Sequence, residues 1–120
     1  MLINLTHYVL NVRKADGSMI VLPPSGDVAE VDRIPHAVDV VDGIAVYQGS
    51  HLALVGLPEA QPGVWYVASW GAARVAASQG RLDVLFPGPV LADESGKAVA
   101  FLGLSRPEGP NEKTEGETNG

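Results

Sequence analysis

Apolar residues along this chain come in short runs, and the runs are separated by clusters of Gly, Pro, Asp and Ser. Leu2 to Thr6 and Tyr8 to Val12 predict one strand bent near His7, and Asp16-Gly17 predicts a hairpin into Met19 to Leu22. Pro23-Pro24-Ser25-Gly26 ends that strand, because proline cannot donate to a ladder. Val28 to Asp32 alternates apolar and charged positions, the pattern of a half-exposed strand. Beyond it we expect a loop at Ile34-Pro35-His36, a strand at Ala37 to Val41, and a tight turn at Asp42-Gly43. A strand at Ile44 to Tyr47, a turn at Gly49-Ser50-His51, apolar residues from Leu52 to Val55 and a loop from Gly56 to Gly63 follow.

Val64 to Gly88 differs from the rest. Val64 to Val67 reads as a strand, and Ala72 to Ala77 is a run of strong helix formers. Leu82 to Phe86 returns to strand and stops at Pro87-Gly88-Pro89. Val90-Leu91, a turn at Asp93 to Gly96 and a strand from Lys97 to Leu104 complete the body. The pattern predicts an α+β, mainly β fold: one compact domain of short antiparallel strands, as a curled sheet, small barrel or sandwich, with one helix near 70–79. Trp65, Tyr66, Val84, Phe86 and Phe101 are the expected core. Residues 1–104 form the folded domain, and 105–120, which hold no large apolar residue, read as a disordered acidic tail.

Composition narrows the function classes. A chain of 120 residues is sized for one domain, and no segment has the ~20 apolar residues of a membrane span. The first residues lack the pattern of a signal peptide, and there are no cysteines, so a cytoplasmic protein is expected. A net charge of −6, with scattered Lys and Arg, argues against nucleic acid as a partner.

The segments LINLTHYVLNV, LPPSGDVAEV, RLDVLFPGP and DESGKAVAFLGL carry a resemblance. The chain resembles small uncharacterised proteins of bacteriophages and of high-GC bacterial genomes that open near "NLTPH", carry "PPSG" and place "PG" before a closing hairpin. Here Asn4-Leu5-Thr6-His7 has no proline between Thr6 and His7. The resemblance implies a phage or prophage origin; it implies no activity and no site.

Candidate chemistry centres on the strand-to-helix turn. Ser69 there suggests a nucleophile elbow, but Val67 stands where that motif needs glycine and all three histidines precede the serine. An N-cap, worth about 1 kcal/mol, is the reading the residues favour. The same turn could bind an anion such as a phosphate or nucleotide, with Ser69, Trp70 and Gly71 at the helix entrance and Arg74 and Arg81 as guanidinium partners. His7, His36 and His51 have no metal-site spacing, so neither a metal nor a cofactor is expected. Asp16, Asp42 and Asp93 fall in turns, and Asp83 reads as solvent-facing by alternation. Three readings remain. The preferred one is a non-enzymatic protein-interaction or accessory protein, phage-encoded, acting on a host or phage protein and self-associating as a homo-oligomer. The others are a small-molecule anion binder at the strand-helix turn and a small hydrolase using Ser69.

Overall fold

The structure is a computed structural model in which residues 1–108 are described; 109–120, most of the expected tail, lie outside the described residues. Ten strands and one helix run in the order β1 (Leu2–Asn4), β2 (Leu10–Arg13), β3 (Met19–Leu22), β4 (Glu30–Val41), β5 (Ile44–Val55), β6 (Trp65–Val67), α1 (Trp70–Ser78), β7 (Val84–Pro87), β8 (Val90–Ala92), β9 (Ala98–Phe101) and β10 (Leu104–Ser105). They form two four-stranded sheets, ordered β1-β6-β7-β10 and β3-β2-β9-β8, and a separate β4-β5 ribbon. The fold is α+β and mainly β, with open sheets that do not close into a barrel.

The strand-helix-strand unit organises the body as expected, but it makes the pairing mixed. β6 pairs in parallel with both β1 and β7, and β2 pairs in parallel with β9. The expectation of antiparallel strands throughout is thereby corrected, because a helix between neighbouring strands returns the chain to the same end of the sheet. The chain opening is also two strands in two sheets, with the bend near His7 carrying it from one to the other.

Alternation along β6 builds the layers. Tyr66 and Ala68 pack on the helix side with Leu5, Val84 and the alanines Ala72, Ala73 and Ala76 of α1. Val67 points to the other side, onto Leu10 and Val12 of the second sheet. The first sheet is thus the middle layer between α1 and the second sheet. Three small alanines let the helix approach the sheet closely. Of the expected core, Tyr66 and Val84 are buried and Phe86 and Phe101 pack half-buried against it. Trp65 is the exception: it is 38% exposed, with the Arg106 guanidinium 5.6 Å from its ring. Its neighbours in β6 take the inward positions. Strand pairing continues to Ser105, whose hydroxyl donates to the Gly88 carbonyl, one residue past the expected boundary at Leu104.

Helix α1 has both its ends satisfied. Ser69 is the N-cap, its Oγ accepting from the Ala72 N–H at 3.2 Å. At the other end Gly80 takes φ +87°, and the Gly80 and Arg81 N–H groups donate to the carbonyls of Ala77 and Ala76. That is a Schellman closure, which favours glycine at its left-handed position.

Asn4, 3% exposed, ties the sheets together. Its Oδ1 accepts from the Thr6 N–H and hydroxyl at 2.9 and 2.7 Å, and its Nδ2 donates to the carbonyls of Tyr8 and Leu22 at 2.8 and 2.9 Å. Among the described residues no buried side-chain polar atom lacks a hydrogen-bond partner.

Candidate docking arm and basal cleft

The ribbon departs most from the sequence pattern. The expected loop at Ile34-Pro35-His36 and turn at Gly49-Ser50-His51 are both inside strands, and β4 and β5 pair as one hairpin of 12 residues on each side. Those residues mark bulges instead. Between the pairs Pro35–Ser50 and Ala37–Tyr47, β5 spends three steps against two of β4, with Gly49 at φ +73°; between Ala37–Tyr47 and Asp39–Val46 the excess passes to β4. Gly and Pro serve turns and bulges alike, and a two-stranded ribbon tolerates proline because each strand has an outward edge. The tip is the expected Asp42-Gly43 turn, with φ +52° and +79°, the signature of a type I′ hairpin.

Only the base of this arm is anchored. Val31 and Leu54 pack against the helix-side core. Beside them Gly56 closes the return, where an added Cβ would lie 2.2 Å from the Val28 carbonyl oxygen; no other residue fits there. Beyond the anchored pair nearly every arm residue is exposed. Ten residues at about 3.3 Å each carry the tip on the order of 30 Å from the anchor. With the arm, the radius of gyration reaches 18.1 Å, against roughly 13 Å for a compact domain of this length.

The arm is apolar on both faces near its tip. Consecutive cross-strand pairs lie on opposite faces, and the last two are Val40–Ala45 and Val41–Ile44. Val40 is 66% exposed and Ile44 69%. Along the whole arm nine large apolar residues are exposed. At about 100 Å² for each fully exposed aliphatic side chain, they present on the order of 500 Å² of apolar surface. Two-stranded hairpins are marginal in water on their own. Midway along, His36 and His51 stack with ring centroids 4.9 Å apart and share a 2.6 Å Nε2–Nδ1 hydrogen bond.

A cleft of about 530 Å³ opens at the base of the arm. Leu5, Leu10, Val28, Ala29, Pro87 and Phe101 give it an apolar lining. Its charged neighbours are Glu30 and Asp32, with His7 held at 2.9 Å from Glu30.

The five residues singled out from the sequence do not converge. Ser69 and Gly71 border the cleft, while Arg74 is exposed on α1 and lies 5.2 Å over the Trp70 ring. Arg81 is occupied elsewhere, donating from Nε and Nη2 to both carboxylate oxygens of Asp83 at 2.9 Å. This fork holds Asp83 below the usual carboxylate range and raises Arg81, with the hydrogen bonds as the leading cause and partial burial opposing both. Asp83 therefore faces a partner rather than open solvent. Asp16 and Asp93 behave as turn residues, their carboxyls lowered chiefly by hydrogen bonds from Ser18 and Ser95.

Histidine geometry separates the remaining readings. His7 borders the same cleft as Ser69, but its Nε2 bonds Glu30 while Ser69 Oγ receives the Ala72 N–H; no Ser69–histidine hydrogen bond occurs among the described residues. Two histidines meet on the arm and His7 sits apart, and among the described residues no group of three or more His, Asp or Glu is placed to hold a metal ion. Also among the described residues, no helix is long and apolar enough to cross a membrane. The sequence reading missed the arm as a unit. The signal was the run AVDVV-DG-IAVY, where adjacent positions on both strands are apolar around a tight turn.

Compared with known proteins, the chain matches no protein-family model, no curated protein and no solved structure.

Proposed function

We propose that this chain is a non-enzymatic interaction protein that docks through the β4-β5 arm, the phage-type resemblance bearing on its origin and not on its role. One observation carries this reading: the hairpin projects from the body with apolar pairs on both faces of its tip. Isolated exposed apolar residues need no explanation, but paired apolar residues gathered on both faces of a projecting tip mark an interaction surface. An arm of this kind gains stability when a protein surface covers it.

The anion-binding alternative draws no comparable support, because the cleft beside Ser69 is flanked by Glu30 and Asp32 and neither guanidinium lines it. A carboxylate-rimmed apolar cleft suits an apolar occupant.

The test is photo-crosslinking from the arm tip, with Ile44→Cys carrying a benzophenone label on a chain that has no other cysteine. Irradiation of the chain, pure and in an extract of its host, should give discrete crosslinked protein species. The same label at the exposed Lys14→Cys should not. Equal, diffuse labelling from both positions would sink the docking reading.

A further inference from the structure

Apart from the docking reading, the structure assigns a binding site to the middle of the arm. His36 of β4 and His51 of β5 form a two-nitrogen chelate for a divalent transition metal, and the bound ion fastens the two strands together. The register builds the site. Ile34 pairs with His51, so the two share one face of the ribbon. His36, two residues beyond Ile34, returns to that face as the diagonal neighbour of His51. Gly49, in the bulge, adds no side chain beside the imidazole; a Cβ there would lie 3.9 Å from His36 Nδ1. The outcome is that His36 Nε2 and His51 Nδ1 face each other at 2.6 Å. Arg33 lies on the opposite face, where it donates to Ser50 Oγ at 2.9 Å, so its charge is held away from the pair.

Imidazole nitrogen is a ligand for Zn2+, Ni2+ and Cu2+, and Cu2+ binds most tightly, whereas Mg2+ and Ca2+ need oxygen. With metal–nitrogen bonds of about 2.0–2.1 Å, nitrogens in neighbouring coordination positions stand about 3 Å apart. The observed 2.6 Å has only to open by a few tenths of an ångström. Both rings are exposed, so each can turn on its own side chain to aim its lone pair at the ion. The proton of the N–H···N bond passes through water to the outward nitrogen of its own ring, His36 Nδ1 or His51 Nε2. Both imidazoles stay neutral, both facing nitrogens present lone pairs, and water completes the coordination. Among the described residues no third His, Asp or Glu joins them, so the site is an open clip and not a closed cage. The two histidines are 15 residues apart, a separation that no local motif spans.

The position gives the ion an effect. A two-stranded ribbon is marginal in water, and an ion bonded to both strands stabilises their paired state. Once one imidazole holds the ion, the second binds at the effective concentration of a neighbouring side chain, so the pair outbinds either histidine alone.

Titrating the untagged chain with Cu2+ tests the clip. Calorimetry should resolve a site that His36→Ala and His51→Ala each weaken at least tenfold, with circular dichroism unchanged, and that His7→Ala leaves as it was. Electron spin-echo spectra of the bound Cu2+ should show two imidazoles in the parent chain and one in each arm variant. With free Cu2+ at about a hundred times the dissociation constant, amide exchange across residues 34–51 should slow by up to about a hundredfold in the parent chain. The arm variants should show no such slowing, and β6 and α1 should be unaffected in all. Equal copper affinity in the parent and both arm variants would overturn the chelate, as would a loss from only one of the two substitutions. Two-imidazole binding that leaves arm exchange unaltered would overturn the ion as a fastening between the strands.

Discussion

Asn4 is a small residue with four hydrogen bonds to make in a place water does not reach, and it makes all of them. Asn4→Ala would remove the side-chain donor to the Leu22 carbonyl and the acceptor of the Thr6 N–H near the junction of both sheets, leaving the Thr6 hydroxyl and the Tyr8 carbonyl to each other at 3.2 Å. Each stranded group costs about 1–3 kcal/mol, partly relieved by relaxation. We expect a loss of about 3 kcal/mol, read as a lower urea midpoint with little change in slope. A loss below about 0.5 kcal/mol would show that the network is incidental. Arg81 and Asp83 make a different prediction. Asp83 titrates below its unfolded value, so the pair stabilises the fold fully above the ordinary carboxylate range and loses that contribution as pH falls through the lowered folded-state value. Both side chains keep about a fifth to a quarter of their exposure, 24% and 20%, so solvent screening limits the contribution to about 0.5–1 kcal/mol. Asp83→Asn should reduce stability by that amount near neutrality and converge with the parent chain in acid. An unchanged difference at low pH would contradict the assignment.

At the scale of elements, local chemistry decided which parts of the fold were legible. Asp16-Gly17 and Asp93 to Gly96 are turns because aspartate accepts from backbone two residues on and glycine takes the positive φ, and Asp42-Gly43 because both residues take positive φ; these are short-range effects a sequence displays. The helix was legible for a local reason too: Ala72 to Ala77 are strong helix formers and Ser69 caps them, while the Gly80 closure is seen only in the structure. Ser69→Ala should cost about 1 kcal/mol of stability through the lost cap and alter nothing in the cleft's apolar lining, a difference thermal unfolding can resolve. Strand partners are set by distant residues, so the parallel pairing of β6 with β1 and β7 was not readable. The continuity of β4 and β5 was hidden by residues that serve bulges as well as turns. The candidate site was legible only in part. Ser69 and Gly71 do border a cleft, but no local pattern could show that Arg81 turns to Asp83 and Arg74 to Trp70.

At the scale of the whole molecule, a three-layer body holds the root of a hairpin that it does not otherwise support. The body has the buried side chains and satisfied polar groups of a stable domain, and the arm beyond Val31 and Leu54 has neither a layer against it nor a neighbouring strand. Stability should therefore be graded along the ribbon. Amide hydrogen exchange followed residue by residue reads this most directly. In dilute solution the amides of residues 37–47 should exchange orders of magnitude faster than those of Tyr66, Val67 and Ala76, and they should gain protection when a protein partner covers the arm. Strong protection of the arm tip with no partner present would mean that the hairpin is stable uncovered, and would contradict the account of it as a docking element.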